Sequence, residues 1–280
     1  MTPIPAHGLC LGLVVIDLLA RAQRIRYLLG ALGRSVTLRN ALAINVLGDA
    51  AAALTPLRLG GEPVRLTGML RARVRVPAAL LAIGIEVLVE WPVGAVCAGL
   101  VLWLCAPGWW EVGGAALAAR ATRAWPWVVG AALLSVACWA AGRRFQPKRA
   151  SLPFARLIAT ARRMPTWPLA AAVPLSFINV ATRTAILPIL TSTLSNPPDL
   201  SASLVGSFVL IYGQLLLPTP SGIGVIELAM LGGAAGDLGP ATAGVLAAWR
   251  LYTTIGGILI GGVLALGTGR TRARATISAA

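Results

Sequence analysis

Two stretches of this sequence set charge beside residues that break helices. The first is Thr55-Pro56-Leu57-Arg58-Leu59-Gly60-Gly61-Glu62-Pro63-Val64-Arg65, and the second is Pro218-Thr219-Pro220-Ser221-Gly222-Ile223-Gly224-Val225-Ile226-Glu227. Proline removes a backbone donor and glycine permits tight turns. A break in apolar surroundings leaves N–H and C=O groups unpaired, which is tolerated only where protein or a wet cavity covers them. Arginine's planar fork suits bidentate contact with phosphate oxygens. The helix starts that follow the breaks, near Glu62 and near Val225, add N–H groups for the same anion. The chemistry implied is recognition of an anionic headgroup, with Glu62 and Glu227 orienting partners, meeting a cationic headgroup part or carrying a proton. The candidate binding residues are Thr55, Arg58, Gly61, Glu62, Arg65, Thr219, Ser221, Gly222, Glu227 and Arg250. A second polar set, Asp49, Glu86, Glu90, Asn179 and Arg183, lies inside apolar runs and is the candidate lining of a wet cavity. The competing reading gives these charges structural work only: Glu62–Arg65 and Glu227–Arg250 would pin the broken segments, and Glu86 and Glu90 would join helices of a bundle. His7 is assigned no role.

The elements that must position these residues follow from composition. Of 280 residues, 57% are hydrophobic and 12% are charged, and the mean hydropathy is +0.80. Soluble domains carry about 25% charged residues, so this chain is an all-α integral membrane protein of a single transmembrane domain, 1–280. The 24 basic residues outnumber nine acidic ones, for a net charge of +15. In a soluble protein such an excess would suggest nucleic acid. Here the arginines cluster between apolar runs, as the positive-inside rule and anionic lipid headgroups require, and no nucleic-acid partner is expected. Cys10, Cys97, Cys105 and Cys138 lie in apolar stretches without a Cys-x-x-Cys pair, so no metal, redox role or cofactor is expected.

A spanning helix takes about 20 apolar residues. The first apolar run, Gly8 to Ala20, is short for that. It either continues to Leu32 with Arg21, Arg24 and Arg26 at the interface, or belongs to a longer chain start, or is a signal peptide. Full spans are read at Val76–Cys105, Trp125–Ala141, Pro168–Leu194 and Ala241–Gly267. The loop 143–166 is rich in arginine and lacks acids, which places it and the basic C-terminus in the cytoplasm. Counting outward from that anchor, segment 40–70 starts and ends inside, and segment 204–235 starts and ends outside. Each is a re-entrant hairpin, and the two enter from opposite faces. Paired broken segments in corresponding positions of two halves point to an inverted repeat with a transport site between them.

The two breaks resemble the signatures of the lysylphosphatidylglycerol synthase transmembrane, or flippase-like, family. Thr55-Pro56…Gly60-Gly61-Glu62-Pro63-Val64-Arg65 is similar to the first, and Pro218 to Glu227 to the second, usually Pro-x-Pro-Gly-Gly-x-Gly-x-x-Glu. Arg250 matches an arginine usual in the following helix. Ser221 departs from the pattern, standing where glycine is usual. The resemblance spans about Leu18 to Leu266 and implies a polytopic inner-membrane protein that moves lipids or lipid-linked molecules between leaflets. The expected partners are membrane lipids with an anionic headgroup; a lipid- or glycan-synthesis enzyme and a second copy of the chain are further candidates, and the sequence leaves the oligomeric state open. The sequence holds no Walker A loop, Gly-x-Ser-x-Gly or His-Glu-x-x-His motif, so ATP-driven transport and familiar hydrolytic chemistry are not expected. The alternatives to a flippase are an intramembrane lipid-modifying enzyme using Glu86 and Glu90 as acid and base, or a non-transporting scaffold.

Overall fold

The computed structural model describes residues 3–106, 164–214, 219–232 and 238–260. The expected span Trp125–Ala141, all but the last residues of the loop 143–166, and the basic C-terminus lie outside the described residues. Those described form an all-α bundle: α1 (Pro3–Ala31), α2 (Leu38–Leu54), α3 (Gly61–Arg71), α4 (Val76–Cys105), α5 (Trp167–Thr191), α6 (Leu200–Gly213), α7 (Val225–Leu231) and α8 (Thr242–Arg250). A π-helical turn, Leu251–Ile255, extends α8 toward Ile260. Among the described residues four helical stretches are long and apolar enough to cross a membrane: Pro3–Ala31, Val76–Cys105, Trp167–Thr191 and Gly239–Ile260. The chain is a polytopic membrane protein.

Of the alternatives for the first apolar run, the structure shows the continuous helix, and only the interfacial placement of its arginines is corrected. α1 is one helix of 29 residues, and Arg21 and Arg24 sit inside it, buried, not at an interface. A helix pays little for a mid-span arginine when carboxylates on neighbouring helices meet it, and the acids on α2 and α4 do so here.

α1 packs along α5, α2 folds back on α3, and α4 lies against α5 and α6. Small residues explain how closely α2 and α3 approach. A Cβ on Gly61 would stand 3.0 Å from Ala52 Cβ, one on Gly68 2.9 Å from Ile44 Cγ1, and one on Gly48 2.3 Å from Arg65 Cγ. Two apolar clusters cap the bundle. One gathers Ile25, Leu28, Leu29, Ile44, Met69 and Ala79; the other gathers Cys10, Ile186, Leu187, Leu210, Met230 and Trp249. Along α1 Asp17 and Arg21 fall between Val14 of one cluster and Ala22 of the other, opening a polar layer that Arg24 continues one turn later.

The halves repeat. The numerical shift that carries Thr55 to Thr219 also carries the start of α1 to that of α5, and the start of α3 to that of α7. The breaks share a backbone path. Thr55 (φ −112°, ψ 145°) and Thr219 (φ −90°, ψ 147°) are both extended and precede a proline that opens a 3₁₀ turn. Two left-handed residues follow in each: Leu57 (φ 51°) and Arg58 (φ 58°), then Ser221 (φ 50°) and Gly222 (φ 65°). Left-handed backbone costs a residue with a Cβ about 1–2 kcal/mol. At Ser221 the hydroxyl offsets that cost by donating to Ala53 O at 2.8 Å. The serine that departs from the usual glycine therefore ties one break to the end of α2. From the first break Arg58 Nη1 reaches the end of α6, donating to Gln214 Oε1 over 3.4 Å.

Candidate functional site

Thr55 shapes the first break. Its hydroxyl donates to Ala51 O at 2.9 Å and accepts from Gly60 N at 2.8 Å, closing α2 and setting the start of α3. The chain between them turns through the left-handed pair, and Arg58 is thereby placed on the wall of a cavity of about 230 Å³. Its lining includes Arg21 and Arg24 from α1, Asn45 and Asp49 from α2, Gly61, Glu62 and Arg65 from α3, Glu86 and Glu90 from α4, and Asn179 and Arg183 from α5, with Tyr212 and Gln214 closing it.

Ion pairs fill most of this lining. Arg24 Nε meets Glu86 at 3.1 Å, Nη2 meets Glu90 at 2.6 Å, and Nη1 donates to Ser176 Oγ at 2.7 Å. Arg65 is paired with Glu86, reaches Glu62 at 3.2 Å, and donates to Asn45 Oδ1 at 3.2 Å. Arg21 meets Asp17 at 2.9 Å and Asp49 at 2.6 Å. Arg183 reaches Asp17 at 3.4 Å and Asp49 at 4.0 Å, and Asn179 donates to Asp17. The Glu86 side chain is 1% exposed and is tolerable there because two guanidinium groups share it.

The polar atoms left over are all donors. Arg21 Nε, Asn45 Nδ2 and Arg65 Nε are buried on this lining without a hydrogen-bond partner. Asn45 is 2% exposed, and its oxygen already accepts from Arg65, which leaves its NH2 group with nothing to meet. Arg58 has no carboxylate within ion-pair distance among the described residues; its only side-chain hydrogen bond among them is the long one to Gln214. A buried donor without an acceptor costs about 1–3 kcal/mol. A cavity that presents spare donors and a free guanidinium is complementary to a guest rich in acceptor oxygens and negatively charged.

The sequence-derived candidates divide between two places. Arg58, Gly61, Glu62 and Arg65 line the cavity, joined by Asp49, Glu86, Glu90, Asn179 and Arg183. Thr55, Thr219, Ser221, Gly222, Glu227 and Arg250 are absent from that lining. Around the second break Arg250 binds Glu227 at 2.7 Å and Ser221 O at 2.7 Å. Glu227 in turn accepts from Gly224 N at 2.6 Å, so a side chain of α7 already occupies the helix start expected to greet an anion. This break is a latch.

The chain belongs to the lysylphosphatidylglycerol synthase transmembrane-region family. The match to the family model runs over residues 3–261. No curated protein and no solved structure matches the chain. In this member of the family the charged lining draws on residues that the sequence reading missed: Asp17, Arg21, Arg24, Asn45, Ser176 and Gln214. The signal for the first three was present, because Asp17, Arg21 and Arg24 stand at i, i+4 and i+7 and so share one face of α1. That face points at Asp49, Glu86 and Glu90.

Proposed function

We propose that the protein moves an anionic phospholipid, or a lipid-linked anion, between membrane leaflets. In this reading the headgroup enters the charged cavity while the acyl chains stay in lipid. The observation that carries it is the surplus of unpaired donors, Arg21 Nε, Asn45 Nδ2 and Arg65 Nε, beside Arg58, which has no carboxylate within ion-pair distance among the described residues. Family membership supports a connection with lipid handling. The segments α2–α3 and α6–α7 dip into the bilayer from opposite faces in this proposal, so that the paired breaks meet near its middle. The inner membrane is the expected location, with the basic loop and C-terminus in the cytoplasm. No metal or cofactor is required, since the work is binding and release.

The enzyme reading finds less support. Glu86 and Glu90, its acid and base, are both already engaged in ion pairs with Arg24. No feature of the described residues favours a scaffold role over transport.

The test is leaflet exchange of a fluorescent phosphatidylglycerol in proteoliposomes, read by quenching from outside. Arg58→Gln removes the free charge and keeps most of the side-chain volume. A hydrogen bond to a charged group contributes about 1.5–3 kcal/mol, so exchange should fall by roughly tenfold or more while the protein stays folded. Wild-type protein that leaves every anionic lipid of a panel in its original leaflet would rule the proposal out.

A further inference from the structure

Arg21 and Arg183 share two carboxylates, and the two are held very differently. Asp17 is 9% exposed, lies 2.9 Å from Arg21 and 3.4 Å from Arg183, and also accepts from Asn179. Three groups on two helices fix it. Asp49 is 27% exposed, lies 2.6 Å from Arg21 and 4.0 Å from Arg183, and has no amide, hydroxyl or backbone donor among the described residues. Only the two arginines hold it.

Its position matters as much as its partners. A second, smaller cavity of about 40 Å³ lies beside the large one, and Arg21, Asp49, Arg58 and Arg183 line both. Its other walls are largely apolar, among them Leu13, Val14 and Ile186, and part comes from Tyr252 and Thr254 of the π-helical turn. A small cavity needs only about 10–15 Å³ to hold a water, so this one continues a polar route past the four charged groups. Those groups form the partition between the two spaces. Arg58 has no carboxylate within ion-pair distance among the described residues, whereas Arg21 and Arg183 are committed to carboxylates.

We propose that Asp49 is a tethered stand-in for the guest's anionic group, exchanged for it between Arg21 and Arg183 during each transport event. This rests on the anionic-headgroup reading of the cavity and adds the residue that makes release from it fast. A guest first meets Arg58, the free charge. Passage across the partition then needs Arg21 and Arg183 to change partners, from Asp49 to a phosphate oxygen and back. One carboxylate is traded for one negative charge, so the total at the partition is conserved with a phosphodiester and is not conserved with a dianionic phosphomonoester. Asp17 stays in place throughout, because Asn179 and both arginines hold it.

A stand-in and a structural prop respond in opposite directions to the same change. Asp49→Asn keeps the size and removes the charge. With Arg21 and Arg183 freed of Asp49 and sharing Asp17 alone, glycerophosphoglycerol, the water-soluble headgroup of phosphatidylglycerol, should bind the detergent-purified protein at least about tenfold more tightly. Leaflet exchange of phosphatidylglycerol in proteoliposomes should fall at least about tenfold, because nothing displaces the bound headgroup. Asp49→Glu should restore exchange. Asp49→Ser serves if the asparagine variant does not fold, with the same expectation. Affinity and exchange falling together, or neither changing, would overturn the proposal while wild-type exchange still upholds the headgroup site. Wild-type exchange of a phosphatidic acid dianion faster than of phosphatidylglycerol would overturn it as well. Wild-type protein that neither binds the probe nor moves phosphatidylglycerol would remove the headgroup site, and this proposal with it.

Discussion

Burial separates side chains that look alike in the sequence. Glu62 and Glu86 each pair with Arg65, but the Glu62 side chain is 49% exposed and that of Glu86 is 1% exposed. Removing one partner of a buried pair costs about 3–5 kcal/mol, because the other charge is left stranded. An exposed pair contributes at most about 1 kcal/mol. Glu86→Ala should therefore lower the thermal midpoint in detergent strongly, read by tryptophan fluorescence, and Glu62→Ala should barely move it. Equal effects would show that Arg24 and Arg65 find other partners. At this scale the sequence was partly legible. Arg58 stood out because it sits beside Thr-Pro and Gly-Gly in apolar surroundings, although pairing with Glu62 was an equally available structural explanation. Arg21 and Arg24 were absorbed by the positive-inside rule, which treats arginines near a helix end as interfacial. The rule misled here because α1 runs on to Ala31, which puts both side chains within the span. The pairing of Glu227 with Arg250 was named in the sequence as the structural alternative, and the structure adds their backbone partners in the second break, Gly224 N and Ser221 O.

The broken segments depend on surfaces without side chains. Gly48 lets the aliphatic part of Arg65 cross α2, since a Cβ there would stand 2.3 Å from Arg65 Cγ. Gly48→Val should push Arg65 off Glu86 and Asn45 and loosen the α2–α3 hairpin. The expected readout is a large loss of leaflet exchange together with faster hydrogen exchange in α3, whereas Gly84→Val, where a Cβ would meet nothing within 4 Å, should change neither. Unaltered exchange in Gly48→Val would mean that Arg65 has a second route to the cavity. The hairpin was visible in the sequence because proline, glycine and short apolar runs obey local backbone rules. Its tight packing was not, because Gly48, Gly61 and Gly68 acquire meaning only once α3 lies on α2. The left-handed pairs Leu57–Arg58 and Ser221–Gly222 were equally hidden, since leucine, arginine and serine do not advertise positive φ.

Across the molecule the repeat is one of backbone and not of charge. The shift that superposes the breaks sets Gly222 opposite Arg58 and Ala185 opposite Arg21. Apart from Asn179, Arg183 and the Glu227–Arg250 latch, the second half supplies walls, and the first half supplies the ions. This has a consequence for synthesis on the ribosome. A lone arginine near the middle of a helix opposes insertion by about 2.5–3.5 kcal/mol. Arg21 carries its own neutraliser one turn earlier in Asp17, but the carboxylates that meet Arg24 arrive with α4. The nascent α1 must therefore be sheltered by the insertion machinery until some sixty further residues have emerged. Chains stopped at Gly60 should be extracted from membranes by alkaline carbonate and degraded, whereas chains stopped at Ala106 should stay embedded. The first four helices would then be a self-neutralising unit, able to wait in the bilayer for the second half to close over it.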